Sequence, residues 1–332
     1  MEIVRTVAEL RAWSRAQRSA GRSVGLVPTM GALHAGHASL IRAAATGCDA
    51  VAVSIFVNPT QFGPNEDFGR YPRTFDADCA LAEGEGASVV FAPSVEDLYP
   101  GGTGTFVEVE GLSSRLDGAS RPGHFRGVAT VVAKLFIAAE PDRAYFGQKD
   151  GAQVAVLRRT AADLLLPVEI VVCPIVREED GLALSSRNIY LSAEERVQAL
   201  VLSRSVREVE TVVGSGERRA SVLLDAAHAL FAEVPEVRVD YVALVDWCTL
   251  LPVDIAVPGT LFAVAAWVGA TRLIDNAVIR DRSALVHDAL REHLRRLEAH
   301  ALEQRDLEGY AREPQSGDES RLWEAEAAWP AE

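Results

Sequence analysis

Leu26-Val27-Pro28-Thr29-Met30-Gly31-Ala32-Leu33-His34-Ala35-Gly36-His37 decides how the rest of the chain is read. The apolar, β-branched run Ser23-Val24-Gly25-Leu26-Val27 precedes it, and the apolar-periodic Ser39-Leu40-Ile41-Arg42-Ala43-Ala44 follows. The order predicts a strand, a glycine-containing turn and the first turn of a helix. That arrangement offers backbone N–H groups and a positive dipole end to phosphate. Gly31 and Gly36 would let the backbone approach an anion closely. His34 and His37, three apart, share one face if the helix begins near them. Taken alone, the pair also fits a capping histidine beside a surface one. Zinc is disfavoured because no third ligand of matching spacing lies nearby.

The flanking chain repeats the same alternation. Thr6-Val7-Ala8-Glu9 has capping-box spacing and opens a helix to about Ser19. The nearly continuous β-branched run from Asp49 to Val57 is that of a parallel strand buried on both faces. It ends in the polar loop Asn58 to Asn65, at a strand's carboxyl end, where open α/β sheets bind ligands. A helix from Thr74 to Gly84, a strand from Ala87 to Phe91 and a Gly- and Pro-rich loop from Pro93 to Gly104 come next. A long helix over Val128 to Ala139, a strand over Asp142 to Phe146 and the glycine-led turn Gly147-Gln148-Lys149-Asp150 are then expected. The helix Ala152 to Leu164 and the strand Val168 to Cys173 complete the series. Residues 1–176 therefore read as a doubly wound parallel sheet with right-handed crossovers. From 177 to 280 two helices precede three strands, a smaller α+β domain. Residues 281–332 form a helical, then acidic, tail.

Composition limits the function. The 332 residues are 48% hydrophobic and 24% charged, as in an ordinary globular protein, and carry a formal net charge of −14. Such a charge argues against a general nucleic-acid surface. Met1-Glu2-Ile3-Val4-Arg5 lacks a secretory pattern, and the longest apolar run, Leu261 to Trp267, cannot span a bilayer. Cys48, Cys79, Cys173 and Cys248 have neither metal nor redox spacing. A cytoplasmic enzyme with reduced thiols is expected, with no nucleic-acid or membrane partner. Of 33 basic residues only Lys134 and Lys149 are lysines. In an arginine-biased chain, a retained lysine suggests a need for a compact, flexible charge. Lys134, on an apolar helix, reads as a snorkelling lysine, with a catalytic role as the alternative.

Together, Pro28 to His37, Ser54-Ile55-Phe56-Val57-Asn58-Pro59-Thr60-Gln61-Phe62, Tyr71-Pro72-Arg73-Thr74, Phe146 to Asp150 and Asp180 to Asn188 resemble the pantothenate synthetase family, in family order over residues 1 to about 280. That family belongs to the nucleotidyltransferase superfamily, so the resemblance implies a Rossmann-like sheet and, for residues 177–280, the role of a lid. It also implies condensation of pantoate with β-alanine through a pantoyl-adenylate, with ATP giving AMP and pyrophosphate. By resemblance the ATP site comprises Met30, Gly31, His34, Gly36, His37, Gly147, Lys149, Asp150, Val176, Leu184, Ser185, Ser186 and Arg187. Gln61 and Gln153 carry over as pantoate amides, and Asn58, Thr29, Met30 and Arg121 are expected beside them. His37 carries over as a proton donor, and His34, Lys149 and Arg187 join it as catalytic candidates.

Mg²⁺ is expected on the phosphates. No protein ligand is assigned to it, because Ala77 interrupts Asp76 and Asp78 in the acidic cluster after Thr74. A homodimer is expected as well. The sequence departs from the family at Gln148, at Gly151-Ala152 and at Leu184. Another adenylyl- or cytidylyltransferase is the alternative enzyme; the amide-lined Asn58 to Gln61 loop favours a hydroxy acid over a phosphorylated acceptor. In the tail, the leucine stripe Leu285, Leu290, Leu294 and Leu297, with Tyr310, Trp323 and Trp329, faintly resembles the toxin-binding tails of ribbon-helix-helix antitoxins. That likeness implies a protein partner for residues 281–332; the alternative is a helix packed on the enzyme.

Overall fold

The structure is a computed structural model and describes residues 1–64 and 67–280. The expectations for residues 281–332, the leucine stripe included, lie outside the described residues. Residues 1–279 form one compact unit.

Six parallel strands make the main sheet: β1 (Glu2–Val4), β2 (Val24–Thr29), β3 (Ala50–Ile55), β4 (Val89–Phe91), β5 (Arg143–Gly147) and β6 (Glu169–Cys173), in the order β1-β4-β3-β2-β5-β6. Their near-continuous apolar sequences follow from burial on both faces. Successive residues alternate between two cores, as a pleated strand requires. Leu26, Ala52, Phe91 and Ala144 pack with Leu10 and Trp13 of helix α1 (Val7–Ser19). Val27, Val53, Val90 and Tyr145 pack on the other side with Leu40, Ile41 and Ala44 of α2 (Ala35–Gly47) and Ala82 of α3 (Phe75–Gly84). Truncating one such core leucine to alanine costs about 2–5 kcal/mol. Thr6 caps α1 in the expected capping box with Glu9.

The chain leaves β2 for β3 on one side, while β5 lies on its other side. This is the switch point of the sheet, where a crevice opens at the carboxyl ends of the strands. The short helices α4 (Val95–Leu98) and α5 (Asp117–Ser120) and the long α6 (His124–Ala139) fill the chain between β4 and β5. Helix α7 (Gly151–Asp163) leads on to β6. Several details differ from expectation: α6 begins at His124 rather than Val128, and α5 was not anticipated. β1 was not anticipated, because three residues are too few to show a period. Within the supposed loop after Pro93, Ser94 caps α4 through a capping box with Asp97.

Beyond Val176, α8 (Ala193–Gly214) and α9 (Ala220–Ala232) cover one face of the antiparallel sheet formed by β7 (Arg238–Asp246), β8 (Thr260–Val268) and β9 (Thr271–Val278). Leu261 and Ala263 on its other face pack with Phe125, Ala152 and Val156. The architecture is thus α/β, a Rossmann-like parallel sheet with a smaller C-terminal α+β part. No described helix is long and apolar enough to cross a membrane. Cys48, Cys79, Cys173 and Cys248 are free.

Candidate active site

A cavity of about 250 Å³ opens at the switch point, at the ends of β2, β3 and β5. Every site residue expected from sequence lines it except Gly31: Thr29, Met30, His34, Gly36, His37, Asn58, Gln61, Arg121, Gly147, Lys149, Asp150, Gln153, Val176, Leu184, Ser185, Ser186 and Arg187. Gly31 is buried in the turn with φ +83, a conformation that L side chains rarely adopt.

The histidine pair sits where the helix begins. His34 is the N-cap of α2 and its Nδ1 accepts the Gly36 N–H at 3.1 Å, while His37 Nδ1 accepts the His34 N–H at 3.3 Å. Each ring therefore uses Nδ1 as an acceptor and carries its proton on Nε2, the tautomer that donates from the far side of the ring. Burial, reinforced by the neighbouring His34 and Lys149, pulls His37 down to about 3. Burial and then Lys149 also lower His34, against the opposing pull of Asp150 and Glu178. Both rings are thus neutral N–H donors at neutral pH.

The amides are held by a network. Asn58 is buried with every polar atom of its side chain engaged. Its Oδ1 accepts from Tyr99 Oη at 2.8 Å and Thr60 Oγ1 at 3.0 Å, and its Nδ2 donates to Gln61 Oε1 at 3.1 Å and to the Gly127 carbonyl at 3.2 Å. Asn58 thus orients Gln61. The Gln61 carbonyl accepts His124 Nδ1 at 2.9 Å, so His124 Nε2 is left to accept Arg121 Nη1 at 3.0 Å. Gly127 permits this approach: a Cβ there would lie 2.3 Å from the Thr60 carbonyl oxygen.

Across the cavity, the Gly147–Asp150 turn is gripped from the antiparallel sheet. Asn276 Nδ2 on β9 donates to the carbonyls of Gln148 at 3.0 Å and Lys149 at 2.8 Å. The Lys149 ammonium has no hydrogen-bond or ion-pair partner among the described residues. Ser185 caps the turn that carries Arg187, and the bidentate Arg177–Asp275 pair, at 2.6 and 3.0 Å, ties that segment to β9. Lys134, read as a snorkelling lysine, instead donates to the Leu98 carbonyl at 2.6 Å and lies over the Tyr99 ring. Sequence reading missed Gly127 and Asn276 and weighed Asp78 only as a metal ligand; each meets its partners far along the chain. The visible signals were a glycine in a β-branched helix and a lone amide in a strand.

The family model for pantoate-beta-alanine ligase matches residues 2–278. The pantothenate synthetase of Acidobacterium capsulatum is 60% identical over 295 residues, covering 86% of this chain and 99% of that protein. A crystal structure of pantothenate synthetase from Thermus thermophilus is 49% identical with a TM-score of 0.79, over 85% of this chain and all of that one. The pantoate-beta-alanine ligase of Francisella tularensis, solved with beta-gamma ATP and β-alanine, is 32% identical with a TM-score of 0.69, over 84% of this chain and 97% of that one. A match that runs the length of the relatives and takes in both the parallel sheet and the smaller part shows that this chain belongs to the pantoate–β-alanine ligase family.

Proposed function

We propose that the switch-point cavity is where this ligase joins pantoate to β-alanine at the expense of ATP, in two steps. In the first, a pantoate carboxylate oxygen attacks the α-phosphorus, the bond to the β-phosphate breaks and pyrophosphate leaves. The carboxylate is already ionised and needs no general base. Catalysis is then positioning together with neutralisation of charge on the phosphate oxygens. The neutral His34 and His37 would donate Nε2–H, the start of α2 its backbone amides, and Lys149 and Arg187 their charge. Gln61 and Gln153 would hold the acid, with Asn58 and Arg121 fixing Gln61. In the second step the β-alanine amine attacks the acyl carbon, the carbon–oxygen bond to the phosphate breaks, AMP leaves and the nitrogen sheds its proton to solvent.

The observation that carries this reading is the gathering in one cavity of anion-binding groups on one wall and an ordered amide pair on another. Among the described residues, no group of three or more His, Cys, Asp or Glu side chains is placed to hold a metal. Mg²⁺ would enter on the ATP phosphates, as part of the substrate. Residues 177–280 would cover the nucleotide, and a cytoplasmic homodimer is the working form we assign. Pyrophosphate–ATP exchange with pantoate alone is the test. Exchange without β-alanine is expected, and a strict need for β-alanine would refute the adenylate.

A further inference from the structure

Asp78 lies buried directly beneath the Met30–His34 turn. It is 2% exposed and belongs to the first turn of α3. Its two oxygens take three donors: Ala32 N–H to Oδ2 at 2.9 Å, Leu33 N–H to Oδ1 at 2.7 Å and Thr74 Oγ1 to Oδ1 at 3.0 Å. The amides it holds belong to consecutive residues of a turn whose backbone is otherwise unfavourable. Gly31 has φ +83 and Ala32, which has a Cβ, has φ +51. Gly31 adopts its conformation freely, but for a residue with a Cβ such as Ala32 a left-handed conformation persists only where surrounding structure over-determines it. The packing against Gly31 is also tight, since a Cβ there would lie 3.0 Å from Asp78 Oδ2 and 3.2 Å from Ile55 Cγ2. Immediately after the turn, His34 caps α2 and supplies the N–H that fixes the His37 ring.

We propose that Asp78 is a positioning residue for adenylation: its carboxylate clamps the Ala32 and Leu33 amides and thereby sets the direction of His34, His37 and the start of α2. A carboxylate is required because it accepts at both oxygens. An asparagine of the same shape offers one acceptor, and its NH₂ would face a backbone N–H, donor against donor. With both oxygens facing donors from the protein, Asp78 serves the turn rather than a cation. The inference rests on the ligase reading of the cavity, and the test separates the two.

Full-length wild type, Asp78→Asn, Asp78→Ser, Thr74→Val and Gly31→Ala would be compared. Hydrogen–deuterium exchange of peptides spanning residues 29–38 would be read alongside pyrophosphate–ATP exchange kinetics. For Asp78→Asn, amide protection should be lost in those peptides and retained in the rest of the sheet. Its adenylation kcat should fall about 10- to 100-fold, as expected for misplaced catalytic groups. KM for ATP should rise while KM for pantoate stays put. Thr74→Val, which removes one donor but leaves both backbone clamps, should keep protection and rate. Gly31→Ala strains the same turn directly at φ +83 and marks the phenotype of a displaced turn, while Asp78→Ser, which shortens the acceptor without setting donor against donor, decides the matter if Asp78→Asn does not fold. Intact protection and rate in Asp78→Asn, or recovery of its rate on raising Mg²⁺, would overturn the proposal. A wild type that fails to exchange pyrophosphate would refute the adenylate reading of the cavity, while the amide protection would still report on the clamp.

Discussion

Replacing Gly127 by alanine adds a single methyl group to α6, and the structure gives its consequence in ångströms. The new Cβ would sit 2.3 Å from the Thr60 carbonyl oxygen, 2.5 Å from its carbon and 2.7 Å from Gln61 Cα, all backbone atoms. Restoring ordinary contact at 3.4 Å requires the Pro59–Gln61 turn to retreat by about 1.1 Å. That retreat strains the Asn58 bond to the Gly127 carbonyl, at 3.2 Å, and the His124 bond to the Gln61 carbonyl, at 2.9 Å. A displacement of about 1 Å in a positioning group typically costs on the order of 100-fold. We expect kcat/KM for pantoate to fall by that amount, with KM for ATP unchanged, because His34, Lys149 and Arg187 stand on other segments. Overpacking costs about 1–3 kcal/mol, and the glycine-to-alanine change in a helix returns about 1 kcal/mol. The melting temperature should therefore drop only modestly. Pyrophosphate–ATP exchange over a pantoate titration, with calorimetry on the same sample, makes the measurement. A normally folded Gly127→Ala protein with kcat/KM for pantoate within about threefold of wild type would refute the steric argument.

Other outcomes follow from the opposite wall. His37→Ala should lower kcat for adenylation by about 100- to 1000-fold, the effect of losing one donor to a developing charge, with a smaller change in ATP affinity; His34→Ala should be milder. Lys149→Arg keeps the charge but replaces a compact ammonium with a planar fork in a glycine-led turn, and near-normal steady-state turnover would reduce Lys149 to a solvated residue. For pH, the folded-state value of His37 lies near 3, against 6.5 for the free imidazole, so between these values the unfolded chain binds the extra proton. His37 should therefore contribute a loss of stability as pH falls from about 6.5 towards 3, visible as a shallower melting-temperature profile in His37→Gln over that interval.

Much of the architecture was legible in the linear chain because it depends on near neighbours. β-Branched runs marked strands buried on both faces. The 3.6-residue period marked the helices, and the Thr6–Glu9 capping box marked where α1 begins. The strand–glycine–histidine order from Leu26 to His37, repeated in another form at Phe146 to Asp150, was enough to place the cavity. The residues that line the cavity were legible through the family resemblance of their motifs, since a lone amide or serine in a loop reads equally well as a solvated residue.

What the tertiary structure alone decided is which distant groups hold those residues in place. Asp78 meets Ala32 and Leu33 from 46 and 45 positions away, and Asn276 reaches Gln148 and Lys149 from 128 and 127 positions away. No local period encodes such meetings, because they depend on how separate elements pack. The same holds for the protonation of His34 and His37. Their tautomers are set by backbone amides at the start of α2 and their neutrality by burial beside Lys149, so it took the folded cavity to make two ordinary imidazoles neutral donors.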